Sequence, residues 1–277
     1  MIFLRFYSPQ PALVGFVKGY QIVHVHTPAE QPLPVYPFPP HAVQFLSFYA
    51  RDPIEVFHSR TQQTNTSPSC IIVGPQVSRV DLTMGRDLLI IATFFEPGGL
   101  YRLLGIPMGE FFDDAFDVSL LWGAQIRQVE EQLRQTTNYD RMQQLVETFL
   151  LRRLQQKQQE KHPIDAAFRQ MADSSRPLSL DYLADQACLS PRQFERKCYE
   201  RLGLGPKTFS RIVRFSKAYR LKERRPDLDW LDVALHCSYY DMQHLRRDFR
   251  EFANATPTLV LQEETRSLVR PYSSHDF

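Results

Sequence analysis

The sequence predicts a two-part α+β protein: a mainly antiparallel β barrel or sandwich accompanied by two helices, then an all-α domain holding two helix-turn-helix units. Three observations predict it. Short β-branched and aromatic runs, separated by turn-rich stretches, fill residues 1–100. Beyond about residue 118 the apolar spacing changes from that of strands to that of helices. The charge also divides: residues 1–175 carry 15 Lys/Arg against 17 Asp/Glu, whereas residues 176–261 carry 16 against 11. A near-neutral part joined to a basic part is the composition of a sensor attached to a polyanion binder.

The β part is expected from the runs Val14–His26, Ala42–Tyr49, Ile54–His58, Cys70–Val73 and Leu88–Phe95. Between them lie Thr27–Pro40, Arg60–Ser69 and Met84–Asp87. Residues 28–40 are too rich in proline to be helical. Two amphipathic helices follow, one presenting Leu120, Leu121, Ile126, Val129 and Leu133, the other Met142, Leu145, Val146, Phe149, Leu150 and Leu154. The polar, glutamine-rich RRLQQKQQEKHP at 152–163 continues neither face and is the expected boundary. The expected divisions are 1–156 for the first domain, 157–163 for the linker, 164–262 for the second domain and 263–277 for a flexible tail.

From residue 164 onward each helix has a start signal. Ser179 caps Leu180–Gln186, and Ser190 before Pro191 joins a hydroxyl cap to proline at the first helical position. That helix is expected to turn Phe194, Cys198 and Tyr199 inward and to stop at Gly203. Pro206 opens a long helix that Pro226 closes, Asp229 caps Trp230–Leu235, and Asp241 caps the last. Residues 178–203 and 228–254 thus share one design: short helix, tight turn, longer helix. Ala184 and Ala234 sit where the helices cross. The outer positions of each second helix are rich in Arg, Gln and His, as a helix lying in a major groove requires.

These residues resemble the DNA-binding domain of the AraC/XylS family of transcription regulators. The likeness runs through LxxLAxxACLSPRQFxRxxxxRLGxxPxxFxxxxRF, from Leu180 to Phe215. It continues through DVALxCxYxDxQHLRRDFRxFxxxTP, from Asp232 to Pro257. It implies base contacts from Arg192, Gln193 and Arg196 in the first unit and from Gln243, His244 and Arg247 in the second, with Ser190, Lys207 and Arg246 at phosphates. It also implies sequence-specific binding of double-stranded DNA and control of transcription. The further partners it admits are RNA polymerase, a small-molecule effector and a second copy of the chain. Ser238 and Asn254 stand where the family has glycine, and Ser238 is expected to strain its turn. Residues 1–160, through FFEPGGLYRLLGIP at 94–107, more weakly resemble the cupin-like sensory domains that precede this module in the family.

The rival reading is a cupin-like metal-dependent enzyme or a metal- or ligand-binding protein. His24 and His26 share a strand face, and Glu30 completes HxHxxxE, a set that suits Fe, Mn or Zn. Against it, the chain beyond Val25 enters the proline-rich stretch, which carries Glu30 away. No GxSxG, P-loop or GxGxxG is present, and adjacent Asp113 and Asp114 cannot face each other as a catalytic pair. No enzyme activity and no cofactor are expected. The four cysteines form no CxxC pair, and neither a signal peptide nor a membrane span is read, so the expected location is the cytoplasm.

Overall fold

The structure is a computed structural model that describes residues 2–156, 162–173 and 178–260. Most of the expected linker and the whole expected tail lie outside the described residues. Among the described residues ten strands form two antiparallel sheets: β1 (Ile2–Tyr7), β2 (Val17–His26), β3 (Val35–Phe38), β4 (Phe45–Tyr49), β5 (Ile54–His58), β6 (Gln63–Thr66), β7 (Cys70–Val73), β8 (Val80–Met84), β9 (Asp87–Phe95) and β10 (Ala115–Asp117). The larger sheet runs β1-β2-β9-β4-β7-β10 and the smaller β3-β8-β5-β6.

The helices beside them are α1 (Gly99–Leu104), α2 (Ser119–Gln135) and α3 (Tyr139–Gln155). The larger sheet is the middle layer. Val23, Val25, Leu88, Ile90 and Phe94 face the smaller sheet and pack with Tyr36, Ile54 and Leu82. The alternate residues Tyr20, Ile22, Leu89, Ile91 and Phe95 pack under α2 and α3 on Ile126, Val146 and Leu150. Burial on both faces explains why β9 reads as an almost unbroken apolar run. Each fully buried Leu, Ile or Phe contributes about 1.5–3 kcal/mol.

Five strands were not legible as runs. β3 lies within the proline-rich stretch; Pro37 is tolerated because β3 is an edge strand paired with β8 alone. β6, QTNT, is an exposed edge with no apolar face. β1, β8 and β10 also lie outside the expected runs. The face expected of α2 is also corrected. Leu120 is 74% exposed, because Gly123 takes φ 50°, ψ −124° and kinks the helix, so the first turn does not share the phase of Ile126, Val129 and Leu133.

The remaining helices share one core: α4 (Ile164–Asp173), α5 (Leu180–Gln186), α6 (Pro191–Leu202), α7 (Pro206–Arg224), α8 (Trp230–His236) and α9 (Met242–Ala253). Phe168, Phe194, Phe215 and Phe249 are its fully buried aromatic centre.

Candidate nucleic-acid interface

The α5–α6 and α8–α9 pairs are built alike down to single hydrogen bonds. Leu189 N–H donates to Ala184 O and Tyr239 N–H to Ala234 O, both at 2.9 Å. Cys188 N–H reaches Asp185 O at 3.0 Å and Ser238 N–H reaches Leu235 O at 3.2 Å. Each short helix therefore ends in a Schellman turn, which places one residue in the left-handed region. Those residues are Cys188 (φ +55°) and Ser238 (φ +58°). A side chain there costs roughly 1–2 kcal/mol, so the expected strain at Ser238 is present and Cys188 shares it.

The longer helices start on local caps. Asp241 accepts from His244 N at 2.7 Å. Ser190 Oγ accepts from Gln193 N at 3.3 Å while Gln193 Oε1 accepts from Ser190 N at 2.9 Å, a complete capping box. Two residues expected at DNA thus also hold the start of α6. Gln193 retains its amide donor and Ser190 its hydroxyl proton.

Behind these starts, the inner stripe of α6 is Phe194, Cys198, Arg201 and Leu202. Tyr199, expected inward, is 60% exposed, because Arg201 takes the inner position. The inner stripe of α9 is Leu245, Asp248, Phe249 and Phe252. The outward faces carry Arg192, Gln193, Glu195 and Arg196 on α6 and Gln243, Arg246 and Arg247 on α9, all exposed, with Lys207 exposed at the start of α7. Among the described residues, Arg192, Arg196, Lys207, Arg246 and Arg247 have no ion-pair or hydrogen-bond partner for their charged groups. A cleft of about 860 Å³ lies between the units, with Lys207, Arg211 and Arg214 of α7 lining it alongside Glu195, His244 and Arg247.

Arg211 and Arg214 on α7 bind α9. Asp248, fully buried, accepts from Arg211 Nη2 at 2.7 Å and from Arg214 Nη2 at 3.3 Å. Arg211 Nη1 also donates to Glu251 at 3.0 Å. The Glu251 hydrogen bond, then Asp248, hold the Arg211 guanidinium more firmly charged than usual against the effect of burial. Arg214 Nη2 lies 3.1 Å from His244 Nε2, and its guanidinium sits 4.6 Å from the Tyr239 ring centre. Burial, then Arg214, lowers the His244 pKa. His244 is therefore partly buried and engaged within the protein, whereas the other residues expected at bases are exposed.

The C-terminal end of α6 is held by the β part. Glu200 accepts from the Tyr101 hydroxyl. Arg201, 1% exposed, donates to Asp165 at 3.1 Å and lies 5.0 Å from the Tyr101 ring centre. Arg102 approaches the same carboxylate at 3.6 Å. Gly203 ends the helix at φ +73°, and a Cβ there would fall 2.5 Å from Pro75 Cγ and 2.9 Å from the Met108 carbonyl. Neither Arg201 nor Asp248 was expected to matter. Their signal is positional, since each charged residue sits at the inward step of an apolar stripe.

The histidine pair of β2 is placed differently from a metal site. His24 uses both ring nitrogens, Nδ1 with the Tyr139 hydroxyl and Nε2 with Asp87, each at 2.8 Å. Exposed His26 is 4.0 Å from Asp87, and Glu30 lies in the turn after the strand. Among the described residues no group of three His, Cys, Asp or Glu side chains is gathered as a metal would require, and no helix is long and apolar enough to cross a membrane.

Residues 183–263 match a model described as a helix-turn-helix domain, and residues 5–117 match one described as a domain of unknown function. The HTH-type transcriptional activator RhaS of Escherichia coli O157:H7 is 33% identical over 82 residues, covering 30% of this chain and 29% of that protein. The chain thus spans under a third of the length of the curated relatives it matches. ToxT from Vibrio cholerae O395 aligns over 95% of this chain and 97% of its own, with 10% identity and a TM-score of 0.45. The AraC-like transcriptional activator CuxR aligns over 79% and 95%, with 12% identity and a TM-score of 0.28. The paired Schellman turns and capped second helices lie within the stretch that matches the helix-turn-helix domain model.

Proposed function

We propose that the chain is a sequence-specific DNA-binding transcription regulator of the cytoplasm and not an enzyme. The observation that carries this is the set of exposed, unpaired cations on one face of two matched helices: Arg192 and Arg196 on α6, Arg246 and Arg247 on α9. Such a set raises the self-energy of the free protein and is relieved by a polyanion. In this reading Arg192, Gln193, Arg196, Gln243, His244 and Arg247 meet base edges, and Ser190, Lys207 and Arg246 meet phosphates. α7 spaces the two helices for successive major grooves, about 34 Å apart. Residues 1–156 form the controlling domain, 157–163 the linker and 164–262 the DNA-binding domain. RNA polymerase and a second copy of the chain are its further partners.

Control enters through the β part. The cavity between its sheets is apolar, about 50 Å³, and lined by Phe38, Phe45, Ile54 and Leu82 with His58, Gln76 and Asp113 at its polar edge. Asp113 closes that edge by accepting from Val77 N, Ser78 N and Ser78 Oγ at 2.7–2.9 Å. Ligand sites usually measure about 300–1,000 Å³. A small apolar effector would therefore part these loops, and their neighbours Pro75 and Met108 press on Gly203 of the first unit.

The test is selection of random duplex DNA by the full chain, followed by titration at rising salt. The expected result is a site of two short boxes about one helical turn apart, with log affinity falling linearly against log salt. Absence of enrichment with binding weak even at low salt overturns the reading.

A further inference from the structure

The His244 ring has one protonation state compatible with its surroundings. An arginine side chain has only donors. With Arg214 Nη2 at 3.1 Å, His244 Nε2 must present its lone pair. The neutral ring then carries its proton on Nδ1, and a doubly protonated ring would set N–H against N–H. Arg214 is not free to turn away, because buried Asp248 holds the same Nη2 and Tyr239 stacks under the guanidinium. Tyr239 also meets the His244 ring edge-on at 5.4 Å between centres. The charged groups facing the ring oppose one another: Arg214 and Arg247 disfavour its protonation, Asp248 and Asp241 favour it, and burial sides with the arginines. Among the described residues Nδ1 has no partner.

We propose that Arg214 is a specificity-determining positioning residue: it locks His244 as the neutral Nδ1–H tautomer, so that the second unit offers one donor to a base edge. This rests on the reading of α9 as a recognition helix. A lone donor accepts guanine N7 or O6, adenine N7 or thymine O4 as partner and rejects the amino group of cytosine. Arg214 touches no base in this scheme; it acts through the ring.

Two measurements on the full chain test it. The first is the imidazole nitrogen NMR spectrum of His244 at neutral pH, in the wild type and in Arg214→Met. The expected result is an Nδ1–H ring in the wild type that shifts toward the Nε2–H form in the variant. The second is DNA site selection with His244→Leu, which offers no donor to a base edge. Preference at one base position of the second box is expected to fall about tenfold, with the first box unchanged. A wild-type ring that is charged or Nε2-protonated, or a tautomer indifferent to Arg214→Met, overturns the proposal and leaves DNA reading intact. A lock that is seen, with an unaltered preference in His244→Leu, overturns its role in specificity. If the wild-type chain selects no sequence, the DNA reading itself fails and takes the specificity role with it.

Discussion

The two helix-turn-helix units share their turns, caps and apolar anchors but are held by different neighbours. α9 is fastened along its length from inside its own domain, by Arg211 and Arg214 of α7 on Asp248 and Glu251, with a bond from the β part at its C-terminal end, where Arg79 Nη1 donates to Ala253 O at 3.3 Å. α6 is fastened at its C-terminal end, where Tyr101 and Arg102 of the β part converge on Glu200 and on the Asp165–Arg201 pair. Gln44 adds a bond to Leu202 O at 3.2 Å. A recognition helix can thus be fixed from within or from without. The second arrangement gives another domain more of the helix's contacts to change, and allosteric control needs contacts that differ between states.

The comparison can be broken most forcefully at the carboxylates. Asp165→Ala removes the carboxylate paired with buried Arg201 and is expected to cost about 3–5 kcal/mol in denaturant unfolding of the full chain. A loss below 1 kcal/mol would show that the pair does not hold α6. Asp248→Ala should cost less, about 2–3 kcal/mol, since Arg211 and Arg214 are 22% and 16% exposed and regain water. Equal losses would contradict the difference drawn between the fastenings.

Gly203→Ala adds a left-handed penalty of roughly 1–2 kcal/mol to the clash with Pro75 and Met108. Faster amide exchange is expected in residues 107–114 with none in α9, and exchange rising equally in both would break the assignment. Ser238→Gly and Cys188→Gly, by contrast, should each stabilise the chain by about 1 kcal/mol; thermal melts of the two, compared side by side, measure how far the turns are equivalent. The smallest effect is that of pH. The His244 pKa is lowered on folding, so the unfolded chain binds more protons and stability falls as pH drops below about 6.5. His244→Gln should flatten that decline slightly, and an unchanged profile would argue against the lowered value.

What the sequence disclosed was what is decided locally. Ser190 before Pro191, Asp229 and Asp241 cap their helices through bonds to residues one to three positions away, so their meaning needs no tertiary partner. The paired turns were readable for the same reason. β3 and β6 were not, since an edge strand needs only one neighbour and tolerates a proline or a wholly polar stretch. Arg201 and Asp248 were missed because their partners lie 36 and 37 residues away, and a charge on an apolar stripe is satisfied only by such distant groups. The exposed base-facing candidates were placed by resemblance, and the structure adds which of them are already occupied: Gln193 by its cap and His244 by Arg214.

The approach at Gly203 has a consequence for modularity. The helical domain and the β domain have separate cores, which suggests parts that can be exchanged between regulators. Yet the end of α6 meets Pro75 and Met108 at a distance that a single methyl group would violate. A chimera joining this helical domain to a foreign sensor would fold each half and still lose their coupling, unless the new partner offers a surface cut to the same depth.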